Sequence, residues 1–348
     1  GLDRHVRAVR SALDGVELYY AVKANPDAEL LRVLEPHVDG FEVSSAGEHA
    51  HVGALFPGKP LALGGPGKTD AELALDAHRI HVESPNELRR LLATGREADV
   101  LLRLNPDLPV SGAALTMSGP FGMDEDDLRA CLPLFGDRVR LRGLHTHLAS
   151  GLDAAELLRL ADVLLDNDYD EVNLGGGMAV SYTEPESRFD WRGYGAGLRR
   201  TSSGKVVRVE PGRALTAYCG YYVTRVVDVK RVRGQAYAIV YGGTHHLRTP
   251  VTKGHDQPFT VLPTGTGPGI TEEPVTVVGQ LCTPKDVFAR DVVTSVRVGD
   301  TVVFAMAGAY AWNISHHEFL MHPPPAFHYV EGSLSWGDDA PVAFRYRL

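Results

Sequence analysis

A short apolar strand, a turn and a helix recur along most of the chain before about residue 215. Strands are predicted at residues 17–22, 39–43, 60–64, 79–83, 98–104, 140–146, 170–174 and 205–209. Helical patterns lie between them, for example at 27–36, 86–93 and 153–165. The first five strands end at intervals of about 20 residues, which is the length of a strand–helix unit with short loops.

Eight such units predict one closed architecture. Apolar runs such as Val100-Leu101-Leu102 suit strands that are buried on both faces, as parallel sheets require. Eight parallel strand–helix units close as a (β/α)8 barrel, in which catalytic groups gather at the carboxyl ends of the strands. We therefore expect an α/β protein whose site lies at that mouth.

The pattern changes after about residue 215, where strands follow one another without helices between them. They are predicted at 221–229, 235–241, 275–281 and 300–306. The sequence thus predicts two domains, a barrel at 1–215 and an all-β domain at 216–348. An insertion between the strands near 103 and 140, with Ser118 to Gly122, is a candidate lid or specificity loop.

The predicted strand ends carry polar groups that packing alone does not require. They are Lys23, Glu42 to Ser45, Gly64-Gly65, Glu83, Arg103, His147, Gly175 to Gly177 and Glu210. An amine, an imidazole, a guanidinium, carboxylates and a glycine loop are therefore expected around one mouth. This convergence predicts an active site.

Lys23 ends an apolar strand within the run Tyr19 to Pro26. A lysine at a strand end is commonly a surface group whose stem covers apolar neighbours. A lysine amine in rigid, apolar surroundings can instead form a Schiff base with a carbonyl compound. The other groups expected at the mouth favour the second interpretation.

Composition excludes several classes of function. The 348 residues are 44% hydrophobic and 23% charged, with a net charge of −9 and no basic run, which argues against nucleic acid as a partner. No apolar stretch reaches the roughly 20 residues needed to span a bilayer, and residues 1–15 suggest an amphipathic helix rather than a signal peptide, so we expect a cytoplasmic protein. Cys131, Cys219 and Cys282 fit neither a disulfide framework nor a zinc motif.

The glycine loop and the segment after the last barrel strand together suggest a phosphate. Gly175 to Gly177 follow a strand, where backbone amides can approach an anion closely. Glu210-Pro211-Gly212-Arg213 adds a carboxylate and an arginine suited to phosphate. A cofactor with both a phosphate and a carbonyl would satisfy this loop and Lys23, and pyridoxal 5'-phosphate has both.

Six motifs carry a family resemblance. They are YYAVKANP at 19–26, GLHTHLAS at 143–150, NLGGGM at 173–178, VEPGRAL at 209–215, GQLCTPKDV at 279–287 and AGAY at 307–310. In this order they resemble the fold-type III pyridoxal phosphate decarboxylases, which include the ornithine, arginine and diaminopimelate decarboxylases. The resemblance covers nearly the whole chain and implies the barrel, the β domain and the cofactor.

The resemblance also implies roles for individual residues. Lys23 matches the lysine that binds the cofactor's aldehyde, and His147 matches the ring that stacks on the cofactor. The other matching cofactor contacts are Arg103, Ser150, Gly175, Gly176, Gly177, Glu210, Gly212, Arg213 and Tyr310. The alternative for His145-Thr146-His147 is a metal site, but a strand would supply only these two ligands on one face, so no metal is expected.

Glu210 and Cys282 bear on the reaction. A carboxylate facing the pyridine nitrogen keeps it protonated and favours decarboxylation, whereas the alanine racemases of this fold carry an arginine there. Cys282 matches a cysteine that enters the partner subunit's barrel mouth and protonates the product carbanion, which implies a homodimer with shared sites. The alternatives are that Lys23 supplies this proton, or that Cys282 is a small buried core residue.

The substrate is indicated by departures from the family pattern. Thr283 follows Cys282 where relatives carry an acidic residue, and Tyr241 precedes two glycines where many relatives carry aspartate, so recognition of a free distal ammonium is disfavoured. Nearby His245, His246 and Arg248 suit a substrate that bears carboxylates.

The segment from Ala311 to Pro323 most resembles the branch that decarboxylates a citrate-conjugated amino acid, citryl-diaminopropionate, during siderophore assembly, and His316 within it is either a substrate contact or part of a polar loop. Decarboxylation of diaminopimelate or of carrier-bound glutamate remains an alternative. A racemase and a non-catalytic cofactor-binding protein are more distant ones.

Overall fold

The computed structural model describes residues 1–117, 119–202, 204–248 and 254–330. Contacts divide the chain into two compact units. The barrel unit contains residues 2–181 and 186–216, and the sheet unit contains residues 182–185 and the chain from 217 onward.

Eight parallel strands close the barrel unit, which confirms the predicted (β/α)8 barrel. They are β1 (Glu17–Ala21), β2 (Gly40–Val43), β3 (Leu61–Leu63), β4 (Arg79–Val82), β5 (Ala98–Arg103), β7 (Val139–His145), β9 (Glu171–Asn173) and β10 (Val206–Val209). Their order around the barrel is β1-β10-β9-β7-β5-β4-β3-β2. A separate short pair is formed by β6 (Leu115–Thr116) and β8 (Ala149–Ser150).

Helices follow most barrel strands. They are α1 (Leu2–Ala12), α2 (Ala28–Leu34), α3 (Ala46–Leu55), α4 (Asp70–Leu73), α5 (Pro85–Ala93), α6 (Glu125–Cys131), α7 (Ala154–Leu164), α8 (Trp191–Thr201) and α9 (Arg213–Thr216). Single 3₁₀ turns lie at Val22–Ala24, Glu35–His37, Leu132–Leu134, Ala217–Cys219, Trp312–Ile314 and Phe319–Met321. Several helices begin at a capping side chain. Ser45, Ser84 and Asp153, for example, each accept a hydrogen bond from the backbone amide three residues on, which supports the turn from strand to helix.

Arg208 of β10 is a buried charge inside the barrel wall, with only 1% of its surface exposed. Its guanidinium bonds Glu17 of β1 at 2.9 Å through Nε and Glu171 of β9 through Nη1. Tyr19 packs against the same guanidinium, 4.6 Å from its ring centre. The side chain therefore links β10 to both of its neighbours, and paired burial of this kind is what allows an arginine to stay charged inside a protein.

The sheet unit is built on a six-stranded sheet. Its strands are β11 (Tyr222–Val232), β12 (Gln235–Val240), β13 (Phe259–Leu262), β14 (Gly269–Val278), β15 (Val287–Arg297) and β16 (Thr301–Phe304), in the order β13-β16-β11-β12-β14-β15. Its core includes Val226, Val240, Val275, Phe288 and Phe304. The predicted β-rich second domain is confirmed. Within the described ranges, we find no helix with the length and apolar character that crossing a bilayer requires.

Candidate active site

Lys23 lies just beyond β1, in the 3₁₀ turn Val22–Ala24, where the strand gives way to the barrel mouth. Its Nζ donates to Oε2 of Glu42 at 2.5 Å, and 46% of the lysine side chain is exposed. Glu42 is buried in β2, and its other oxygen accepts from Oγ of Ser44 at 2.8 Å. The lysine amine is thus held at the mouth by a fixed carboxylate.

Glu210 follows β10 and is buried, yet both of its carboxylate oxygens have partners. Nδ2 of Asn173 donates to Oε1 at 2.6 Å, and Nε2 of His145 lies 3.1 Å from Oε2. Nε2 of His81 lies 3.7 Å from Oε1. These contacts fix the orientation of the Glu210 carboxylate within the barrel.

The rings of His81 and His145 stack with their centres 4.0 Å apart and their planes 18° apart. Burial lowers the pKa of both rings well below the ordinary histidine value, so both are neutral at pH 7. Ligand atoms of His81, His145 and Glu210 come within 4.8 Å of one another, which is the spacing of a possible metal site. Nearly parallel rings cannot both direct an in-plane lone pair at one ion, so this arrangement fits hydrogen bonding to the carboxylate better than a metal.

His147 lies outside the strand that contains His145. The expectation that both lie on one face of a strand is wrong, because β7 ends at His145 and His147 follows in the loop. Nδ1 of His147 accepts a hydrogen bond from the amide of Gly176 at 2.9 Å. Burial, with the positive charges of Lys23 and Arg103, lowers the pKa of His147 to about 3, so the ring is neutral and can lie against an aromatic ligand.

The loop Gly175 to Gly177 requires glycine for steric reasons. A Cβ on Gly175 would lie 2.5 Å from the carbonyl oxygen of Thr146, and one on Gly177 would lie 2.3 Å from that of Ala149. Gly177 also has a φ of +100°, a conformation that other residues rarely adopt. The amides of Gly175 and Gly176 already bond Oδ1 of Asn173 and His147, so the loop is fixed by side chains of the site.

Arg103 ends β5 and forms a buried ion pair with Glu83 at 2.7 Å. The other oxygen of Glu83 accepts the amide of Gly122 at 2.8 Å, and Phe121 lies 5.3 Å from the arginine. The predicted lid loop is therefore tied to the mouth through residues 121 and 122. Ser118, at the start of that predicted loop, lies outside the described residues.

The other predicted cofactor residues lie on nearby segments of the barrel unit, apart from one. Ser150 belongs to β8 and pairs with Leu115. Gly212 packs so closely that a Cβ would lie 2.8 Å from that of Ala24, next to Lys23, and Arg213 begins α9. Tyr310 belongs to the sheet unit and has a φ of 47°.

Cys282 is exposed on the turn between β14 and β15. The buried carboxylate of Asp286 holds this turn, since it accepts the amide of Leu281 at 2.8 Å and that of Thr244 at 2.7 Å. Thr283 lies within the same turn, and its amide donates to the carbonyl of Leu281. Asp286 thereby connects the cysteine turn to the segment that carries His245.

Histidines gather in the sheet unit. The ring of His245 lies 3.9 Å from that of His246 and 5.4 Å from that of His322. His245 is fully buried, and neither of its ring nitrogens has a hydrogen-bond partner among the described residues, while burial lowers its pKa to about 4. Arg248 lies 4.2 Å over the ring of Tyr182, and His316 is exposed beside Phe319. The structure therefore groups His245 and His246, whereas the contacts of Arg248 and His316 are with other residues.

Sequence patterns assign no role to Glu42, His81, Asn173 or Asp286. Glu42 could have been found, because it is among the predicted strand ends, one strand after Lys23. His81 and Asn173 lie inside strands, and only the register of the closed barrel brings them to Glu210. Asp286 appears in the sequence only as a part of the motif after Cys282.

The barrel unit fits pyridoxal 5'-phosphate by its own chemistry. It offers an amine at Lys23, a neutral ring at His147, a carboxylate with uncharged donors at Glu210 and a loop that accepts only glycine. These are the groups that would bind an aldehyde, an aromatic face, a pyridine nitrogen and a phosphate.

A family model described as "Pyridoxal-dependent decarboxylase, C-terminal sheet domain" matches residues 20–308. The chain is 37% identical to the 2-[(L-alanin-3-ylcarbamoyl)methyl]-2-hydroxybutanedioate decarboxylase of Staphylococcus aureus, covering 95% of this chain and 92% of that protein. It is 31% identical to the L-glutamyl-[BtrI acyl-carrier protein] decarboxylase of Niallia circulans, covering 93% and 85%. It is 30% identical to the diaminopimelate decarboxylase of Deinococcus radiodurans, covering 93% and 86%.

Solved structures share the fold. A mutant of the diaminopimelate decarboxylase of Helicobacter pylori, in complex with L-lysine, superposes with a TM-score of 0.81 at 22% identity, covering 93% of this chain and 87% of that one. A mutant of the protein SrLDC in complex with PLP gives a TM-score of 0.79 at 22% identity, covering 93% and 88%.

Proposed function

Since this chain belongs to the pyridoxal-dependent decarboxylases, we propose that it removes the carboxylate of an amino-acid unit that is already joined to a carboxylate-rich group. The substrate we propose is the one named for the Staphylococcus aureus relative, an alanine unit linked through an amide to hydroxybutanedioate, which is citryl-diaminopropionate. The observation that carries this proposal is the 37% identity over nearly the full length of both proteins. A role in siderophore biosynthesis would follow from it.

The residues near Cys282 support an acidic substrate over one with a free distal amine. Thr283 and Tyr241 are uncharged, so neither offers the carboxylate that would pair with a distal ammonium group. His245 brings a buried ring with two unbonded nitrogens, which is a hydrogen-bonding group without a partner in the described residues. We propose Thr283, His245, His246, Arg248 and His316 as the substrate contacts.

When bound, the pyridoxal ring supplies the electron sink for the pair of electrons left by loss of carbon dioxide. Lys23 would provide the amine that binds its aldehyde, and Glu42 holds that amine at the mouth. Glu210 would face the ring nitrogen and favour its protonated form, which would strengthen the electron sink. His147 would lie against the ring, and the other proposed cofactor contacts are Arg103, Ser150, Gly175, Gly176, Gly177, Gly212, Arg213 and Tyr310.

We propose that Cys282 delivers a proton to the reacting carbon, with Lys23 as the alternative donor. The thiol of Cys282 is exposed on a turn that Asp286 fixes, so it is available to a substrate. In Cys282→Ala, kcat should fall, and a larger share of turnovers should place the proton on an atom other than the reacting carbon. A variant with unchanged kcat and product would remove the thiol from the mechanism.

We further propose a cytoplasmic homodimer in which each site takes Lys23 from one subunit and Cys282 from the other. Light scattering should give the mass of a dimer. Mixing inactive Lys23→Ala with impaired Cys282→Ala should restore activity, because about a quarter of the sites in a random mixture would combine two intact halves. If mixing restores nothing while subunits exchange, the shared site is wrong.

The substrate is tested by carbon dioxide release from citryl-diaminopropionate, diaminopimelate, ornithine and lysine at equal concentrations. We expect citryl-diaminopropionate to give the highest kcat/KM. Free diaminopimelate as the best substrate would contradict the proposal. The relative from Niallia circulans makes carrier-bound glutamate a second candidate, so a glutamyl carrier protein forms the fifth arm. With every substrate that reacts, the product should lack the carboxylate of the amino-acid unit. A product that keeps this carboxylate and is only inverted at the alpha carbon would indicate a racemase.

The cofactor anchor has its own test. Purified protein with pyridoxal 5'-phosphate should show an absorbance band near the visible edge. Lys23→Ala should abolish it, and Lys59→Ala, at an ion pair with Glu35 outside the mouth, should leave it unchanged. A persistent band in Lys23→Ala would show that another group binds the aldehyde.

A further inference from the structure

Three side chains to which the sequence patterns assign no cofactor contact surround the carboxylate of Glu210. Asn173 of β9 donates to one oxygen at 2.6 Å, and His145 of β7 lies 3.1 Å from the other. His81 of β4 stacks on His145 at 4.0 Å and lies 3.7 Å from the first oxygen. All three are buried. The carboxylate is thus held from three barrel strands.

The proton on the His145 ring has one favourable position. Nε2 faces a carboxylate oxygen, and Nδ1 is buried without a hydrogen-bond partner among the described residues. A proton on Nδ1 would leave a buried donor unsatisfied and turn the Nε2 lone pair towards a negative oxygen. The Nε2–H tautomer therefore donates to Glu210.

The charge of these donors matters as much as their position. Asn173 is uncharged, and the His145 ring is kept neutral by burial and by the positive charges of Arg103 and Lys23, which lower its pKa. An arginine or lysine at either place would cancel the charge of Glu210. Uncharged donors fix the carboxylate and leave its negative charge to act on a ligand.

We propose that His145, held by its stack on His81, is a positioning residue that donates from Nε2 to Glu210 and keeps this carboxylate oriented for the ring nitrogen of the cofactor. The proposal rests on the role of Glu210 given above. It assigns the first histidine of the His145-Thr146-His147 motif a different task from that of the second.

The test compares two substitutions at one position. His145→Phe keeps an aromatic ring against His81 and removes the donor, whereas His145→Gln can return an N–H to the carboxylate. With cofactor labelled with ¹⁵N at the ring nitrogen, the wild type should give the resonance of a protonated nitrogen by NMR. His145→Phe should move it towards the unprotonated position and lower kcat about tenfold to a hundredfold with little change in KM, as expected for loss of a bond to a charged group.

His145→Gln should retain the protonated resonance and most of kcat, which a purely structural role would not predict. His78→Phe, the same change at an exposed position just before β4, is the matched control and should behave as the wild type. Glu210→Gln separates the two claims. If Glu210→Gln leaves the nitrogen resonance unchanged, Glu210 is not the partner of the ring nitrogen. If Glu210→Gln shifts the resonance but His145→Phe does not, the proposal for His145 is overturned.

A measurement on the wild type keeps the test decisive if His145→Phe does not fold. In protein labelled with ¹⁵N-histidine, the His145 ring should show the neutral Nε2–H tautomer between about pH 6 and pH 8, where free histidine titrates. A charged ring or the Nδ1–H tautomer would overturn the proposal.

Discussion

The amine of Lys23 is held 2.5 Å from a carboxylate oxygen of Glu42, so two consecutive barrel strands supply the proposed cofactor anchor and its fixed partner. Ser44 holds the second oxygen of the same carboxylate. Because Glu42 is buried and Lys23 is half exposed, the carboxylate is the rigid member and the lysine is the one that can move. This suits an amine that must bind and release a ligand in each cycle.

Glu42→Gln should slow turnover without unfolding the barrel, because the amide keeps the shape of the side chain and loses its charge. We expect kcat to fall about tenfold, the typical effect of weakening a hydrogen bond that involves charged partners. Steady-state kinetics and a thermal melt would measure it. Glu29→Gln, the same substitution on the exposed face of α2, is the control. Equal kcat in the two variants would show that Glu42 does not assist Lys23.

Gly177→Ala should weaken cofactor binding and destabilise the fold. Its Cβ would lie 2.3 Å from a backbone oxygen at a φ of +100°, so the loop must shift. We expect a loss of roughly 1–3 kcal/mol in the free energy of unfolding, measured by urea denaturation. A cofactor titration should give a higher Kd. Gly53→Ala in α3 meets nothing within 4 Å and should instead stabilise by up to about 1 kcal/mol. The prediction fails if both changes have the same sign.

Asp286→Ala should loosen the turn of Cys282. The substitution leaves the amides of Leu281 and Thr244 without their acceptor inside the sheet unit, at a cost of roughly 1–3 kcal/mol for each group left unsatisfied. Urea denaturation would report the stability loss, and the rate at which Cys282 reacts with a thiol reagent should rise. Asp228→Ala, on an exposed position of β11, is the control for both readouts. An unchanged thiol rate would show that the turn does not depend on Asp286.

Folding stability should decrease as the pH falls below about 6.5, the ordinary histidine value. Burial lowers the pKa of His81, His145 and His147 in the folded protein, for His147 to about 3, so the unfolded chain takes up the protons first. Each such ring then contributes up to about 1.4 kcal/mol of lost stability per pH unit. Burial raises the pKa of Glu48 and Glu87. Near the pH at which these two carboxyl groups titrate, they therefore increase the folding stability as the pH falls.

Urea midpoints at pH 7 and pH 5.5 measure this effect, since the carboxyl groups titrate mainly below that interval. We expect a lower midpoint at pH 5.5 and a smaller difference in His147→Gln, which removes one of the titrating rings. Equal midpoints for the wild type at the two pH values would contradict the buried, neutral state of these histidines.

The barrel could be predicted from the sequence because its strands are apolar on both faces and recur at regular intervals. For the same reason the predicted strand ends identify Lys23, Arg103, His147 and Glu210 as groups of one mouth. The family motifs add the cofactor, which polar groups at a mouth do not specify alone.

The sequence could not predict which side chains support those residues. His81 and His145 are separated by more than sixty positions along the chain, and their stack depends on the register of a closed sheet. Sequence spacing pairs His145 with His147 on one strand face, whereas β7 ends between them. The histidine group of the sheet unit likewise includes His322, which no local pattern connects with His245.

The contacts of Arg208 bear on when the barrel can close during synthesis of the chain. Arg208 reaches Glu17, which is synthesised 191 residues earlier, and Glu171 on the other side. While β10 is still inside the ribosome, the sheet of the nascent chain has open edges at β1 and β9. It also lacks the Arg208 guanidinium that joins these two strands. Closure is therefore a late, long-range event, and contacts of such high sequence separation form slowly. A nascent chain that ends before residue 206 would present an incomplete sheet to chaperones rather than a stable half barrel.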